Sequence, residues 1–234
     1  MFHFKKFSIE DSGAAMKIGT DAVLLGAWTR CENETRILDI GTGSGILSLM
    51  LAQRISKTFI DALEIDPEAA ALAKENAILS PWKNRISVHQ TSFQEFAKAS
   101  HNKYSLIICN PPFFSKSLKA STEARNFARH NDSLPIDELL NGVANLLTSN
   151  GKASFIFPHD ALEKWKISSE KFSLFPVRIT LVKSSPNHPP HRAMVTFTNE
   201  KIQEIVEDEL CIYAQKGVYS IEYQNLTSAF YLRF

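Results

Sequence analysis

Ile37-Leu38-Asp39-Ile40-Gly41-Thr42-Gly43-Ser44-Gly45, continued by Ile46-Leu47-Ser48-Leu49-Met50-Leu51-Ala52, is a β-branched apolar run that ends in a glycine-rich turn and leads into a helix. Glycines at such a turn let a ligand approach the backbone closely. Nicotinamide and flavin proteins use similar turns, so this stretch by itself indicates an α/β unit without choosing its ligand. The next strand-like run, Phe59-Ile60-Asp61-Ala62-Leu63, ends at Glu64, with Ile65-Asp66-Pro67 following. An acidic residue at the end of a second strand suits the two hydroxyls of a ribose, again a device that dinucleotide proteins share. Beyond it, strands and helices alternate. The segment from Pro67 to Asn76 is rich in helix formers, the run from Arg85 to Gln90 reads as a third strand, and Tyr104-Ser105-Leu106-Ile107-Ile108-Cys109 as a fourth. Pro135 opens a helix in which Leu139, Leu140, Val143, Leu146 and Leu147 recur at helical spacing, with Asn150-Gly151 as its stop. Strand five runs from Lys152 to Phe157. Two further runs, Val177 to Val182 and Ala193 to Thr198, flank a turn-rich segment and read as a closing hairpin.

The fourth strand ends in Asn110-Pro111-Pro112-Phe113. This looks like the Asn-Pro-Pro-aromatic signature of amino-group methyltransferases, and its chemistry is readable. A planar nitrogen, whether the exocyclic amine of adenine or a carboxamide, has its lone pair delocalised into a π system. It attacks poorly unless it pyramidalises. The Asn110 side-chain oxygen and the Pro111 carbonyl can both accept from the NH2 group and stabilise the charge that develops. Two prolines hold those acceptors rigidly, and the Phe113 ring offers a stacking face. Four residues alone read equally well as a strand stopping at a Pro-Pro turn.

The order of the three features decides between these readings. A glycine-rich turn, then Glu64, then Asn-Pro-Pro-Phe after the fourth strand resembles the class I S-adenosyl-L-methionine-dependent methyltransferases. The ends of the chain carry a narrower likeness. Phe4-Lys5-Lys6-Phe7 and the segment from Met16 to Trp28 resemble the start of the bacterial valine-tRNA (adenine-37-N6)-methyltransferases, and Tyr219 to Tyr223 with Phe230 to Phe234 resemble their C-terminus. With Ser80-Pro81-Trp82, the extended Asn110 to Phe114 and Ala128-Arg129-His130, the similarity covers nearly the whole chain. The resemblance implies an α/β, Rossmann-like class I methyltransferase fold: a seven-stranded, mostly parallel sheet with an antiparallel last strand and helices on both faces. It implies one methyltransferase domain over 1–234, with family-specific extensions at about 1–35 and 200–234. The implied reaction is methylation of N6 of the adenine at position 37 of valine tRNA, in the anticodon loop. N5-methylation of a glutamine in a protein such as a release factor, and guanine-N2 methylation of rRNA, are the alternatives.

Residue roles follow from the motifs and the class. Asp39 positions the methionine end of the cofactor, Gly41, Gly43 and Gly45 allow close approach, and Glu64 binds the ribose. Thr20 and Asp21 are placed to cap an N-terminal helix. The class lays that segment over the cofactor, so a Thr20 contact with the methionine carboxylate stays equally open. Lys17 reads as a solvated lysine or a phosphate contact. Many class I enzymes have an acidic residue after strand three for the cofactor adenine. Here Thr91-Ser92-Phe93 stands there, so Ser92 or its backbone substitutes, with Phe93 against the adenine or in the core. Asn110, Pro111, Pro112 and Phe113 form the catalytic set, and Asn110 also borders the cofactor.

Composition fits one globular enzyme. The 44% hydrophobic and 22% charged residues over 234 positions are ordinary for a water-soluble α/β chain, with no linker or repeat dividing it. No apolar run reaches the roughly eighteen residues of a membrane span, and Met1 to Phe7 has no signal-peptide core, so a cytoplasmic protein is expected. Cys31, Cys109 and Cys211 are scattered, which suggests neither disulfides nor a zinc site. No obligate protein partner is indicated. A formal net charge of +1 gives no general support to RNA binding. Local charge does: between Phe113 and His130, Lys116, Lys119, Arg125 and Arg129 stand against Glu123 alone, beside the catalytic motif. A solvated helix face explains the same residues. His188, His191 and Arg192 lie on another loop, and the segment from Glu200 to Glu209 is acidic.

Overall fold

Along Leu106-Ile107-Ile108-Cys109 the side chains divide strictly between two cores, Leu106 and Ile108 on one face of the sheet, Ile107 and Cys109 on the other. This is the pattern of a parallel strand covered by helices on both sides. The computed structural model describes residues 1–11, 18–32, 34–112 and 134–234. A short N-terminal pair, β1 (Phe2–His3) and β2 (Ser8–Ile9), precedes α1 (Thr20–Trp28). The alternating core follows as β3 (Arg36–Ile40), α2 (Ile46–Arg54), β4 (Phe59–Glu64), α3 (Pro67–Leu79), β5 (Ile86–Gln90), α4 (Phe93–Ala99) and β6 (Tyr104–Cys109). After it come α5 (Ile136–Leu146), β7 (Leu147–Pro158), α6 (Leu162–Glu170), β8 (Phe175–Lys183), β9 (Pro190–Thr198) and β10 (Val206–Cys211). A hairpin of β11 (Tyr213–Gln215) and β12 (Val218–Tyr219) leads to α7 (Ile221–Thr227).

The central sheet has the order β10-β8-β9-β7-β6-β3-β4-β5, with β9 antiparallel to both of its neighbours. Strands β3 to β9 supply the seven expected strands, the last of them antiparallel. An eighth, β10, adds to the edge parallel to β8. It escaped notice in the sequence because Val206-Glu207-Asp208-Glu209 is exposed and acidic, without the apolar alternation of a covered strand. A second difference concerns α5, which ends at Leu146, while Leu147 already pairs with Tyr104 as strand. Leu147 is buried in either conformation, so its apolar character could not tell helix from strand. The expected stop at Asn150-Gly151 is therefore inside β7.

Elsewhere local chemistry acts as read. Pro135 is the N-cap of α5, and Pro67 opens α3 behind Asp66, whose side chain accepts from the Ala69 N–H at 2.8 Å. The chain ends are fastened together: the Lys5 N–H donates to the Phe230 carbonyl at 2.8 Å and its ammonium to the Ser228 carbonyl at 2.7 Å, while Phe4 stacks on Tyr231. Among the described residues, no helix is long and apolar enough to cross a membrane.

Asp61, within β4, is a charged group inside the sheet. Its carboxylate accepts from Arg36 Nε at 2.8 Å, pairs with His89 Nε2 at 2.9 Å, and accepts from the Tyr104 hydroxyl at 2.9 Å. Burial alone would raise its pKa, but these partners outweigh burial and hold it below the ordinary carboxylate value. With the folded pKa below the unfolded one, this stabilisation is present above the ordinary carboxylate range and is lost as pH falls through it. Tyr104→Phe, which removes one of these bonds from a fully buried ring, should lower stability by about 1.5–3 kcal/mol in urea unfolding at neutral pH. The deficit should shrink in acid; an undiminished deficit at pH 3 would argue against the charged network.

Candidate functional site

Register brings the three sequence features side by side. Ile40 of β3 pairs with Leu63 of β4 and with Cys109 of β6, so the next residues, Gly41, Glu64 and Asn110, stand abreast at the carboxyl ends of adjacent parallel strands. Neighbouring strands lie about 4.8 Å apart, so the row spans roughly 10 Å. That edge is where open α/β sheets bind ligands.

The turn after β3 is built on left-handed backbone. Gly41, Gly43 and Gly45 have φ of 68°, 56° and 90°. A Cβ built on Gly41 or Gly43 meets no atom within 4 Å, whereas one on Gly45 would lie 3.6 Å from Ala73 of α3. Gly41 and Gly43 thus border open space, and Gly45 lies close to α3. Gly45 is also the N-cap of α2 and has no side chain to cap it, and the helix turns the positive end of its dipole toward the turn.

Asp39 is fully buried beneath this turn. Its Oδ2 accepts from Thr42 Oγ1 at 2.5 Å, Ser48 Oγ at 2.7 Å and the Ser48 N–H at 3.1 Å. Its Oδ1 is buried with no hydrogen-bond partner. Burial pushes the carboxyl up to about 6, against the lowering effect of those three donors, and the charge of Glu64 raises it further. A buried carboxylate oxygen without a donor suits a cation, and the open space at Gly41 and Gly43 suits a ligand backbone. These two observations fit the ammonium and methionine end of S-adenosylmethionine.

Glu64 is tied to the same turn. One oxygen accepts from the N–H groups of Ile65 and Asp66 at 2.9 and 3.0 Å, and the other from the Gly43 N–H at 2.9 Å. A carboxylate has about four acceptor directions, so one remains for a ribose hydroxyl. Ser92 is the N-cap of α4: its Oγ accepts from the Glu95 N–H at 3.1 Å and donates to the Glu95 carboxylate at 3.0 Å. Its hydroxyl is committed to α4, which leaves its backbone for an adenine. The Phe93 ring is buried against α5, where a Cβ on Gly142 would come within 2.6 Å of it.

Thr20 is not a cap. Gly19 holds the N-cap position of α1 without a side-chain bond, because its extended backbone turns into the helix one residue earlier than the hydroxyl pattern suggests. Asp21 instead pairs with Arg192 Nε at 2.8 Å, joining α1 to β9. Thr20 and Asp21 line a separate cavity with His191 and several tyrosines. Pro111 is half-buried and Pro112 exposed after β6. Phe113, Lys17, Lys116, Lys119, Arg125 and Arg129 lie outside the described residues.

Three supporting residues went unnoticed in the sequence. Thr42 and Ser48 fix Asp39 in one orientation, and their spacing from it, a hydroxyl inside the turn and one on the first turn of α2, was the available signal. The third is Asn76 of α3, which donates to the carbonyls of Ser44 and Glu10 at 2.9 and 3.0 Å and accepts from the Glu10 N–H at 2.8 Å. It ties the N-terminal segment to the glycine turn.

Comparison with known proteins agrees with this geometry. Residues 12–158 match the family model described as Methyltransferase small domain. A tRNA1(Val) (adenine(37)-N6)-methyltransferase of Flavobacterium psychrophilum is 43% identical over 234 residues, all of both chains. Its counterpart in Bacteroides fragilis is 46% identical, covering 99% of this chain and 98% of its own. Among solved structures, a predicted O-methyltransferase from Agrobacterium tumefaciens superposes with a TM-score of 0.71 at 18% identity, over 90% of this chain and 96% of that one. A ribosomal protein L11 methylase from Lactobacillus delbrueckii has a TM-score of 0.54 at 19% identity, over 77% and 78%.

The cofactor pocket has two separable tests. Gly43→Ala places a side chain at φ 56°, a strain of about 1–2 kcal/mol, in space that no protein atom fills. It should fold with a slightly lower Tm and lose S-adenosylmethionine binding by calorimetry. Gly217→Ala, equally strained at φ 79° in the β11–β12 turn, should lose similar stability and keep binding; equal affinity in both variants would remove the glycine turn from the pocket. The second test concerns protons. Because the Asp39 pKa rises from 3.8 to about 6 on folding, its stabilising contribution is complete below pH 4 and lost as pH rises through 6. A cation at Oδ1 lowers that pKa, so binding near pH 6 should release protons, read as a dependence of calorimetric enthalpy on buffer ionisation. No such dependence would separate Asp39 from the ammonium.

Proposed function

The chain belongs to the tRNA1(Val) (adenine(37)-N6)-methyltransferase family, and from that premise we propose that it methylates N6 of adenine 37 in valine tRNA, using S-adenosylmethionine. The observation that carries this reading is the placement of Asn110 abreast of Gly41 and Glu64, which sets an amide acceptor beside the cofactor turn. We read the whole chain as one methyltransferase domain with extensions at about 1–35 and 200–234. Alignments to relatives that run over essentially the whole chain, both extensions included, support this. A tRNA substrate makes the cytoplasm its place of work.

Asp39, Gly41, Gly43 and Glu64 hold the cofactor in this proposal, with the Ser92 and Phe93 backbone at its margins. Bound there, S-adenosylmethionine would supply an electrophilic methyl group on a sulfonium, whose S–CH3 bond breaks to leave a neutral thioether as the methyl is transferred. Asn110 Oδ1 and the Pro111 carbonyl accept the two N–H groups of the adenine amine, which draws the nitrogen lone pair out of conjugation and steadies the positive charge as the new C–N bond forms. One of those protons then leaves the methylated nitrogen. Pro112 stiffens the acceptors, and Phe113 stacks on the base. Position 37 lies in a loop, so its base can leave the stack at modest cost and enter a pocket that a stacked base could not reach. Lys116, Lys119, Arg125 and Arg129 follow the motif in sequence and supply charge for the RNA backbone.

Asn110→Ala should cut single-turnover methylation of an anticodon stem-loop by about a hundredfold or more, comparable to losing one preorganised donor of an oxyanion hole, with RNA affinity less changed. Phe113→Tyr should retain substantial activity because the stacking face remains. Equal methylation of stem-loops carrying adenine or guanine at position 37, or normal turnover by Asn110→Ala, would overturn the mechanism.

A further inference from the structure

A second concave site lies on the same edge of the sheet, on the other side of the motif strand. Strands β8 and β10 run parallel to β7, so their carboxyl ends, together with the start of β9, face the same way as the cofactor turn. There a cavity of about 350 Å³ is lined by Thr20, Asp21, His191, Tyr213, Tyr219 and Tyr223, among others. This is within the size range of small-molecule sites, about 300–1,000 Å³. The residues of the cofactor turn, Glu64 and Asn110 do not line it.

Its walls have an unusual make-up. Tyr213 stacks on Tyr219 with ring centroids 4.9 Å apart, and Tyr219 on Tyr223 at 5.0 Å, with interplanar angles of 19° and 18°. Phe234 meets Tyr219 edge-on, bracing the array with the chain terminus. Tyr223 is buried, while Tyr219 is 36% exposed and Tyr213 half-buried, so the array opens outward through the β11–β12 hairpin. Around the aromatic faces stand groups that donate and accept: phenol hydroxyls, Thr20, the Asp21 carboxylate and the His191 ring. Arg192, paired with Asp21 through Nε at 2.8 Å, is a cation at the cavity's edge. Tyr219 uses both faces inside the stack, so Tyr213, at its outer end, is the ring left to meet a base. With a rim of mixed donors and acceptors and a neighbouring cation, the site matches the three parts of an unpaired nucleotide: base face, base edge and phosphate.

We propose that this tyrosine-lined cavity is a second base-binding subsite, holding an unpaired nucleobase next to the adenine that is methylated. His191 lies on β9, two strands from β6 and Asn110, a lateral offset of about 10 Å. Adjacent nucleotides of an unstacked loop bridge such an offset. Seating a neighbour here would hold the loop open while adenine 37 occupies the catalytic pocket. The inference rests on the reading of an RNA loop as substrate and adds to it the place where the rest of that loop is held.

The test pairs protein and RNA changes. Stem-loops are made with the base immediately 5′ or 3′ of adenine 37 replaced by an abasic site, and methylation is followed with wild-type protein, Tyr213→Ala and Tyr213→Phe. For wild type, one of the two abasic substrates should raise KM about tenfold to a hundredfold with little change in kcat. Tyr213→Ala should raise KM similarly on the intact stem-loop and add little on that abasic one. Tyr213→Phe, which keeps the ring, should resemble wild type. Cofactor affinity and Tm of each variant, measured in parallel, separate a lost subsite from a damaged fold. If intact stem-loops are methylated but neither abasic substrate is impaired, or if the effects of Tyr213→Ala and the abasic change multiply, the subsite is refuted while the proposed reaction stands. If no stem-loop is methylated at all, the reaction itself is refuted and the subsite with it.

Discussion

Parallel pairing of β3 with β4 and β6, ends level, is the constraint on which the chemistry depends. Strand side chains alternate with a period of two, so a slip of one residue would reverse the faces of Ile37, Leu38, Asp39 and Ile40 together. Leu38 and Ile40 are buried in one core and Ile37 in the other, so a slip would disturb both at once. Apolar packing over the length of three strands therefore fixes the position of a few polar groups at their ends. The backbone of Asn110 follows directly from Cys109, which the ladder sets level with Ile40, so its position along the sheet edge is fixed by the strand pairing.

Asp39 shows what such packing must tolerate. A buried carboxylate with one oxygen unpartnered opposes folding above its shifted pKa, and Thr42 and Ser48 offset only part of that cost. The arrangement leaves a single, oriented acceptor that water does not reach, beside a helix N-terminus that favours anions. A ligand carrying both an ammonium and a carboxylate satisfies the two at once. Asp61, the other buried carboxylate of these strands, meets the opposite situation, with three partners and a lowered pKa. The two lie one register step apart in paired strands, and the contrast between them, one satisfied from within and one not, makes Asp39 the candidate site group.

Much of this was legible in the sequence because it rests on local rules. The glycine turn, the acidic end of β4, Pro67 and Pro135 each state their conformation in residue type, and all were placed correctly. What was not legible depended on tertiary context. Leu147 satisfies a helical and a strand burial pattern alike, and only its pairing with Tyr104 decides. β10 carries its acidic side chains on an exposed edge, where apolar periodicity has no role. Phe93 could have faced a ligand, and it is the absence of a side chain at Gly142, in another helix, that lets its ring pack there. Ser-Phe-Gln-Glu has the spacing of a helix start, and the Ser92 hydroxyl caps α4, which leaves the backbone as the part of Ser92 open to a ligand.

The fold itself cannot choose the substrate. Structures that superpose on this chain at low identity carry names with different acceptors, an oxygen in one and a ribosomal protein in another, on the same sheet. Discrimination must come from what surrounds the shared core. Here the start of α1, the β11–β12 hairpin and the last helix line the cavity beside β9 and β10, with Asp21 paired to Arg192 at its edge. The first residues instead reach Asn76 of α3 and Trp82, and Lys5 joins them to the Ser228 carbonyl. A common sheet edge thereby acquires a neighbouring surface of its own. On the proposed reading, whether a base reaches Asn110 depends as much on how that surface receives the rest of the loop as on the acceptors that would meet its amine.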